Sequence, residues 1–233
     1  MKFISFLSLL TTSLLFAGVP VLKQVPVDHI FTPKGFDSND NIEVVVTGTL
    51  PNLCHKAPKT FIKRDGRNIN ITVKSLYYQS DNPYCPEMVV PFKKVVDLGP
   101  MDKGEFKITV NKDSRWEMKD KLKIKKPIDD NIDNYQYAYV EEIRANDSED
   151  EITLMGYNPS NCYDLDKVTY VSNDKDTYSI LPRLKKVSEF CPVKLTPFTI
   201  TWKVPRELDA KKVLLHVRTL NGNSVNKIIK NIQ

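Results

Sequence analysis

Cysteine and histidine are the residues of this chain that could carry nucleophilic chemistry. Four cysteines and three histidines occur in 233 residues, and His55 directly follows Cys54. A catalytic thiol needs a base within hydrogen-bonding reach and a third group that orients the base. The matching position after Cys162 is Tyr163, so the pairing of thiol and imidazole is not repeated. We therefore interpret all three histidines as structural or surface residues, with His29 in an N-terminal segment and His216 on the solvent face of a strand.

Other catalytic motifs are missing from the sequence. It contains no G-x-S-x-G, no H-E-x-x-H and no phosphate-binding or dinucleotide pattern. Its 29 acidic residues could include a catalytic carboxylate pair, but nothing in the sequence selects one. We expect a protein that is not an enzyme, with an unrecognised hydrolase as the alternative.

Two multi-residue patterns each occur twice, 106 to 108 residues apart. The first is G-x-x-P-x-x-C, and the second is an aromatic residue, Cys and Pro followed four residues later by Pro-Phe. The copies of the first pattern are Gly48 to Cys54 and Gly156 to Cys162, and those of the second are Tyr84 to Phe92 and Phe190 to Phe198. This self-similarity indicates an internal duplication.

The duplication selects one pairing of the cysteines. Four cysteines allow three pairings, but a single ancestral repeat had only its own two. We therefore predict disulfides between Cys54 and Cys85 and between Cys162 and Cys191, which would persist in an oxidising compartment. A four-cysteine metal site is disfavoured, because no C-x-x-C occurs and the cysteines lie in separate repeats.

Alternating apolar and polar residues predict short strands in both repeats. Residues 105–110 and 212–217 have a period of two, and Asn221-Gly222 is a strong hairpin signal. Helical periodicity is nearly absent. We predict an all-β chain of two tandem immunoglobulin-like β-sandwich domains, each with one disulfide, over residues 18–126 and 135–233 with a linker at 127–134.

The repeat resembles small secreted bacterial immunoglobulin-like modules of uncharacterised function. The resemblance depends on the glycine-cysteine stretch, the later Cys-Pro-Phe region and a terminal hairpin that begins Gly104-Glu-Phe-Lys-Ile-Thr-Val110. The second copy departs at Lys211, where the hairpin glycine would be. The resemblance implies a fold and no activity.

The N-terminus predicts export. Residues 1–17 contain Lys2, an apolar run and a small residue at Ala17, which is typical of a signal peptide. The run is short for a membrane span, and no later segment reaches that length, so we expect no transmembrane segment in the mature chain. The expected location is periplasmic, cell-surface or extracellular.

Charge favours anionic partners other than nucleic acid. The net charge is +5, with an excess of six positive charges in residues 18–126 and of two negative charges in residues 127–233. No basic helix or aromatic-basic motif of a nucleic-acid-binding protein accompanies it. We expect the partner to be a protein or an anionic envelope polysaccharide.

A lysine row is the first candidate binding feature. Lys119, Lys121, Lys123 and Lys125 alternate along one predicted strand, which follows Arg115 and Trp116. These residues could form an anion-binding face, or the lysines could protect an edge strand from aggregation. Tyr135, Tyr137 and Tyr139 have the same period and are predicted to share a face, as a packing surface or a carbohydrate platform.

No cofactor is expected, and calcium is the one metal that the sequence suggests. Acidic and amide side chains cluster at residues 37–41, 129–134 and 146–151, and calcium binds six to eight oxygens of such groups. The alternative is that these residues form turns.

Export, architecture and the missing catalytic motifs favour a structural or binding protein that presents loops or a sheet edge. Two alternatives remain open. One is a secreted peptidase inhibitor with a disulfide-locked loop. The other is a pilus-type periplasmic chaperone, which is also exported and has two immunoglobulin-like domains.

Overall fold

The computed structural model describes residues 19–78, 84–127, 136–192 and 194–230. The predicted signal peptide, Tyr135 and all of the predicted linker except Pro127 lie outside these residues. We call residues 19–127 the first half and residues 136–230 the second half.

Strands account for the regular structure of the described residues, apart from one 3-10 turn at Leu220–Gly222. The all-β prediction is therefore confirmed. The strands of the first half are β1 (Val21–Gln24), β2 (Val27–Phe31), β3 (Ile42–Leu50), β4 (His55–Asp65), β5 (Asn68–Tyr77), β6 (Val90–Gly99), β7 (Gly104–Val110) and β8 (Met118–Ile124). Those of the second half are β9 (Tyr139–Ala145), β10 (Glu151–Asn158), β11 (Tyr163–Ser172), β12 (Thr177–Lys186), β13 (Thr196–Lys203), β14 (Lys212–Arg218) and β15 (Ser224–Lys230).

The strands form two sheets in each half, in the same order. The first half has the three-stranded sheet β2-β3-β6 and the sheet β4-β5-β7-β8, to which β1 adds along β5 to make five strands. The second half has the three-stranded sheet β9-β10-β13 and the four-stranded sheet β11-β12-β14-β15. In both halves the parallel pair joins corresponding strands, β5 with β7 and β12 with β14.

Each half encloses its own apolar core between its two sheets. Alternate residues of facing strands supply the core, such as Val44 and Ile108 in the first half and Leu154 and Leu215 in the second. A half-buried strand explains the period of two that the sequence shows, since successive side chains point to opposite faces.

One disulfide closes each half, and both predicted pairings are confirmed. Cys54 bonds to Cys85 and Cys162 bonds to Cys191, across 31 and 29 residues of chain. The paired Cα atoms are 5.5 Å and 5.3 Å apart. Loops of this length give about 3–4 kcal/mol of stabilisation in the chain-entropy model.

The glycine of each G-x-x-P-x-x-C motif lies where a neighbouring strand bulges toward it. A Cβ on Gly48 would overlap the carbonyl oxygen of Pro26, and a Cβ on Gly156 would overlap that of Tyr139. Each glycine also pairs across the sheet with the phenylalanine of the Pro-Phe motif, Phe92 or Phe198. The two repeated patterns therefore meet at one point of each half.

The two halves dock face to face through sheets. Phe31 and Val45, on the outer face of β2-β3-β6, form a small apolar core with Leu214 of β14, and Ile228 of β15 packs against it. Burying four such side chains is worth several kcal/mol at about 1.5–3 kcal/mol each. The outer face of the four-stranded sheet is consequently covered by the first half.

Charged groups are buried in the same junction. Arg218 forms a 2.6 Å ion pair with Asp40, and both side chains are nearly inaccessible to solvent. Beside them, Nδ1 of His216 lies 3.2 Å from Glu43 and 3.0 Å from the side-chain oxygen of Asn226. His29 contacts the buried carboxylate of Asp176 at 2.7 Å. Acidic side chains of one half thus meet basic side chains of the other across the junction, and Arg218 with Asp40 is a pair of full charges.

The prediction that His216 faces solvent is wrong. Its side chain is 1% exposed, and both of its neighbours on β14 are buried as well. Alternation along a strand places every second residue outward, but here the outward face is covered by the other half. Burial lowers the pKa of His216, and the nearby Glu43 carboxylate opposes this shift only in part.

We predict that replacing Gly156 with alanine destabilises the protein by about 1–3 kcal/mol or more, because the added methyl group overlaps a backbone carbonyl that cannot move freely. Thermal unfolding measures the loss, at about 2–4 °C per kcal/mol for a chain of this size. Thr153→Ala, on the outer face of the same strand, is the control. Equal melting temperatures for Gly156→Ala and the wild type would contradict the tight contact.

We predict that His216 makes the fold acid-sensitive near neutral pH. A histidine whose folded pKa is below its unfolded value of 6.5 is held neutral by the fold, so its stabilising contribution is present above pH 6.5 and is lost as pH falls toward the folded pKa. His216→Gln keeps a hydrogen-bond donor for Glu43 but does not titrate. Its free energy of unfolding, measured from pH 7.5 to 5.5, should fall less steeply than that of the wild type. Parallel curves would show that His216 titrates alike in the folded and unfolded chain.

Candidate anion-binding face

The predicted lysine row lies on an exposed edge strand. Lys119, Lys121 and Lys123 are exposed on β8, the last strand of its sheet, whereas Leu122 and Ile124 point to the other face and are buried. Lys125 follows the end of β8 and is also exposed. The strand position and the shared face of the three β8 lysines are therefore as predicted.

Arg115 and Trp116 lie in the loop that leads into β8. The Arg115 guanidinium lies over the Trp116 ring, 4.5 Å from its centre. Arg115 is exposed, whereas Trp116 is partly buried. This pair is therefore a local stack at the start of the lysine strand and not part of the strand itself.

The register of the sheet extends the lysine row across three more strands. Lys121 lies directly opposite Lys107 of β7, and Asn68 of β5 pairs with Lys107 on its other side. On β4, Lys59 is opposite Lys74 of β5. The outer face so defined, here called the lysine face, comprises Lys59, Phe61, Lys63, Asn70, Thr72, Lys74, Lys107, Lys119, Lys121 and Lys123, with the acids Asp65 and Glu105.

Carboxylates neutralise part of this face. Glu117, in the loop before β8, forms an ion pair with Lys119. Glu105 bonds to Lys121 at 2.9 Å, which lowers the pKa of Glu105 and raises the pKa of Lys121. Asp65 lies at the tip of the β4-β5 hairpin, opposite Asn68. The seven lysines of the face therefore outnumber these three carboxylates.

Two pairs of lysines face each other directly, Lys59 with Lys74 and Lys107 with Lys121. Like charges in directly opposed positions destabilise a sheet. Lysines on β4 and β8 can be explained as protection of edge strands, but Lys74 and Lys107 lie on the central strands β5 and β7. Edge protection does not account for these two residues.

A shallow groove of about 560 Å³ opens at the Lys107–Lys121 pair. It is lined by Arg67, Asn68, Glu105, Phe106, Lys107, Lys119, Asp120 and Lys121. Asp120 is engaged by Lys175 at 2.8 Å and Glu105 by Lys121. Lys119 is engaged by Glu117. The groove therefore offers Arg67 and Lys107 to an anionic group of carboxylate or phosphate size.

The corresponding face of the second half has a different character. Leu214 pairs with Ile228 where the first half pairs Lys107 with Lys121, and His216 pairs with Asn226 where Thr109 pairs with Lys119. This apolar face is the one that docks onto the first half. The same position in the fold is therefore apolar where it is covered and cationic where it is free.

Of the two tyrosines that the structure describes, Tyr137 is buried beneath Arg218, as the predicted packing surface requires, whereas Tyr139 is exposed. Tyr137 is 4% exposed, whereas Tyr139 is 40% exposed. Strand β9 begins only at Tyr139, and Tyr137 lies before it in an isolated bridge to Arg183. The period of two does not extend across this boundary, so the two rings do not form one platform.

Acidic clusters 37–41 and 146–151 make contacts within their own turns. The Asp40 carboxylate accepts the backbone N–H of Asp37 and pairs with Arg218, while the Asn146 side-chain oxygen accepts the backbone N–H of Asp150 and Glu151. The cluster at 129–134 lies outside the described residues. In the part of the chain that the structure describes, no group of three or more His, Cys, Asp or Glu side chains could hold a metal ion.

No helix among the described residues has the length and apolar character needed to cross a membrane.

Part of the first half is similar to a known domain family. Residues 44–117 match the family model of the ORF11 beta-sandwich domain. This region runs from β3 to the loop before β8, so it contains the lysines of β4, β5 and β7. Neither a curated protein nor a solved structure matches the chain. The match and the all-β architecture together identify the region as a β-sandwich module similar to the ORF11 beta-sandwich domain.

Proposed function

We propose that this protein is an exported, non-enzymatic binding module that attaches through its lysine face to an anionic polymer of the cell envelope. The observation that carries the proposal is that a lysine on a central strand lies directly opposite a lysine on an edge strand in two places, Lys107 with Lys121 and Lys74 with Lys59. An arrangement that costs stability in the free protein is repaid when an anion lies between the ammonium groups.

The scaffold of this module is a tandem of two immunoglobulin-like domains that arose by duplication. Three features support this: the identical strand order of the halves, the corresponding disulfides, and the glycine that faces a bulge in each half. A sandwich stapled by a disulfide suits an exported protein, since the bond persists in an oxidising compartment.

Rigid docking of the halves supports a binding role. The buried Arg218–Asp40 pair and the apolar contact of Phe31 with Leu214 hold the second half against the first. The lysine face is on the opposite sheet of the first half and stays uncovered by the second. A flat, pre-organised array of charges binds an extended partner with a smaller entropy cost than a flexible one.

A peptidase inhibitor is the second candidate, and the disulfide-stapled loops favour it. Phe190 is 83% exposed directly before Cys191, and the chain before it is held by a 2.7 Å hydrogen bond from Val187 N–H to the Cys162 carbonyl. An exposed aromatic side chain on a locked loop is suited to fill an apolar specificity pocket. The expected result for this candidate is inhibition of a protease that cleaves after aromatic residues, which is lost in Phe190→Ala. No inhibition of a panel of secreted proteases at micromolar concentration would eliminate it.

For the lysine face, we predict that Lys107→Gln together with Lys121→Gln weakens binding to polygalacturonate, a uronate polymer, by about tenfold or more. Each lysine near an anionic surface is worth about 1 kcal/mol. Binding of the wild type should fall steeply as salt is raised, because exposed charges are screened beyond about 8–10 Å at physiological ionic strength. Affinity is measured by biolayer interferometry at several salt concentrations.

The matched control is Lys185→Gln with Lys194→Gln, which removes two exposed lysines from the second half. It should bind nearly as the wild type does. Equal losses in the two double variants would mean that net charge alone governs binding. Unchanged binding in the Lys107/Lys121 variant would mean that these two lysines do not hold the polymer and serve only to keep this face of the sheet uncovered.

A further inference from the structure

One exposed aromatic side chain lies among the lysines of the lysine face. Phe61 is 44% exposed on β4, opposite Thr72 of β5. Lys59 and Lys63 flank it on the same face, at about 7 Å on either side along the strand. The ammonium group of Lys74 lies 5.8 Å from the centre of the ring. The ring is therefore surrounded by cations on three sides.

Single exposed apolar residues are ordinary on protein surfaces, so exposure alone says little about Phe61. Its surroundings are informative. Thr72 and Asn70, half-buried on the neighbouring strand at about 5 Å, add a hydroxyl and an amide to the same patch. An aromatic ring, two neutral hydrogen-bonding groups and flanking cations are the groups needed by a ligand with an apolar face, hydroxyls and negative charges.

Among anionic polymers, an acidic polysaccharide has all three of these features. The C–H groups on one side of a pyranose ring form an apolar and slightly positive surface, which is attracted to the negative face of an aromatic ring. Its hydroxyls can bond to Asn70 and Thr72, and its carboxylates can lie between lysines. Inorganic polyphosphate offers charge but no apolar face, so Phe61 has no role in binding it.

We propose that the lysine face recognises an acidic polysaccharide, with one sugar ring stacked on Phe61 and the carboxylates of its neighbours held by Lys59, Lys63 and Lys74. This inference rests on the proposed function, since it names the polymer that the lysine face binds. Phe61 supplies the selectivity for sugar, whereas the lysines supply attraction that any polyanion shares.

The experiment compares two polymers and three variants. Phe61→Ala should weaken binding to polygalacturonate about tenfold, as expected when one ring-stacking contact is lost, and should leave binding to inorganic polyphosphate unchanged. Phe61→Trp should retain binding to both polymers. Tyr139→Ala removes a comparably exposed aromatic ring from the second half and should change neither. Melting temperatures check that each variant is folded.

The outcomes separate this inference from the proposed function. If Phe61→Ala weakens binding to both polymers equally, or to neither, a sugar ring stacked on Phe61 is excluded, while the lysine face remains an anion site. If Lys107→Gln with Lys121→Gln changes binding to neither polymer, the proposed function itself fails. Vesicles containing phosphatidylglycerol provide the remaining comparison. If Phe61→Ala loses more binding to vesicles than to polygalacturonate, Phe61 inserts into lipid and the proposal of a polysaccharide ligand is overturned.

Discussion

The docking of the second half onto the first is the contact on which the rest of the arrangement depends. Phe31, Val45 and Leu214 exclude water from the junction, and the Arg218–Asp40 pair is enclosed with them. A buried pair adds little net stability over apolar residues of the same volume, but loss of either partner leaves an uncompensated charge. The pair therefore acts mainly on register, because sliding of one sheet over the other would separate Arg218 from Asp40.

Repetition in the sequence was enough to predict the covalent framework and the strands. The cysteine pairs follow from two copies of one pattern, and the alternation in residues 105–110 and 212–217 corresponds to β7 and β14. The same alternation misplaced His216, since a period of two reports which side chains point the same way and not what covers them. Both faces of β14 are buried. The burial of His216 can therefore be predicted only if the sheet that covers the outer face of β14 is known.

The lysine face was only partly predictable, for a related reason. The β8 row is visible because its lysines are two residues apart in the sequence. Lys74 and Lys107 join it only through the pairing of β5 with β7 and of β4 with β5. Parallel pairing of strands that are separated by an intervening strand leaves no local signal. The like-charge opposition that distinguishes this face from ordinary edge protection is therefore a property of the register alone.

The Lys107–Lys121 pair occupies in the first half the position that Leu214–Ile228 occupies in the second. This difference bears on whether a further sandwich could dock onto the two halves in the same way. Docking of the kind seen between the halves joins two different faces, and such head-to-tail contacts propagate without limit unless each end is altered. At one end, the first half presents Lys107 and Lys121 where the second half has the apolar pair Leu214 and Ile228. The other presents Arg144 and Thr153, which are paired on β9 and β10 as Phe31 and Val45 are on β2 and β3. Neither end therefore presents the apolar pair that its counterpart uses in the junction, a difference that is also found in the capping repeats of solenoid proteins.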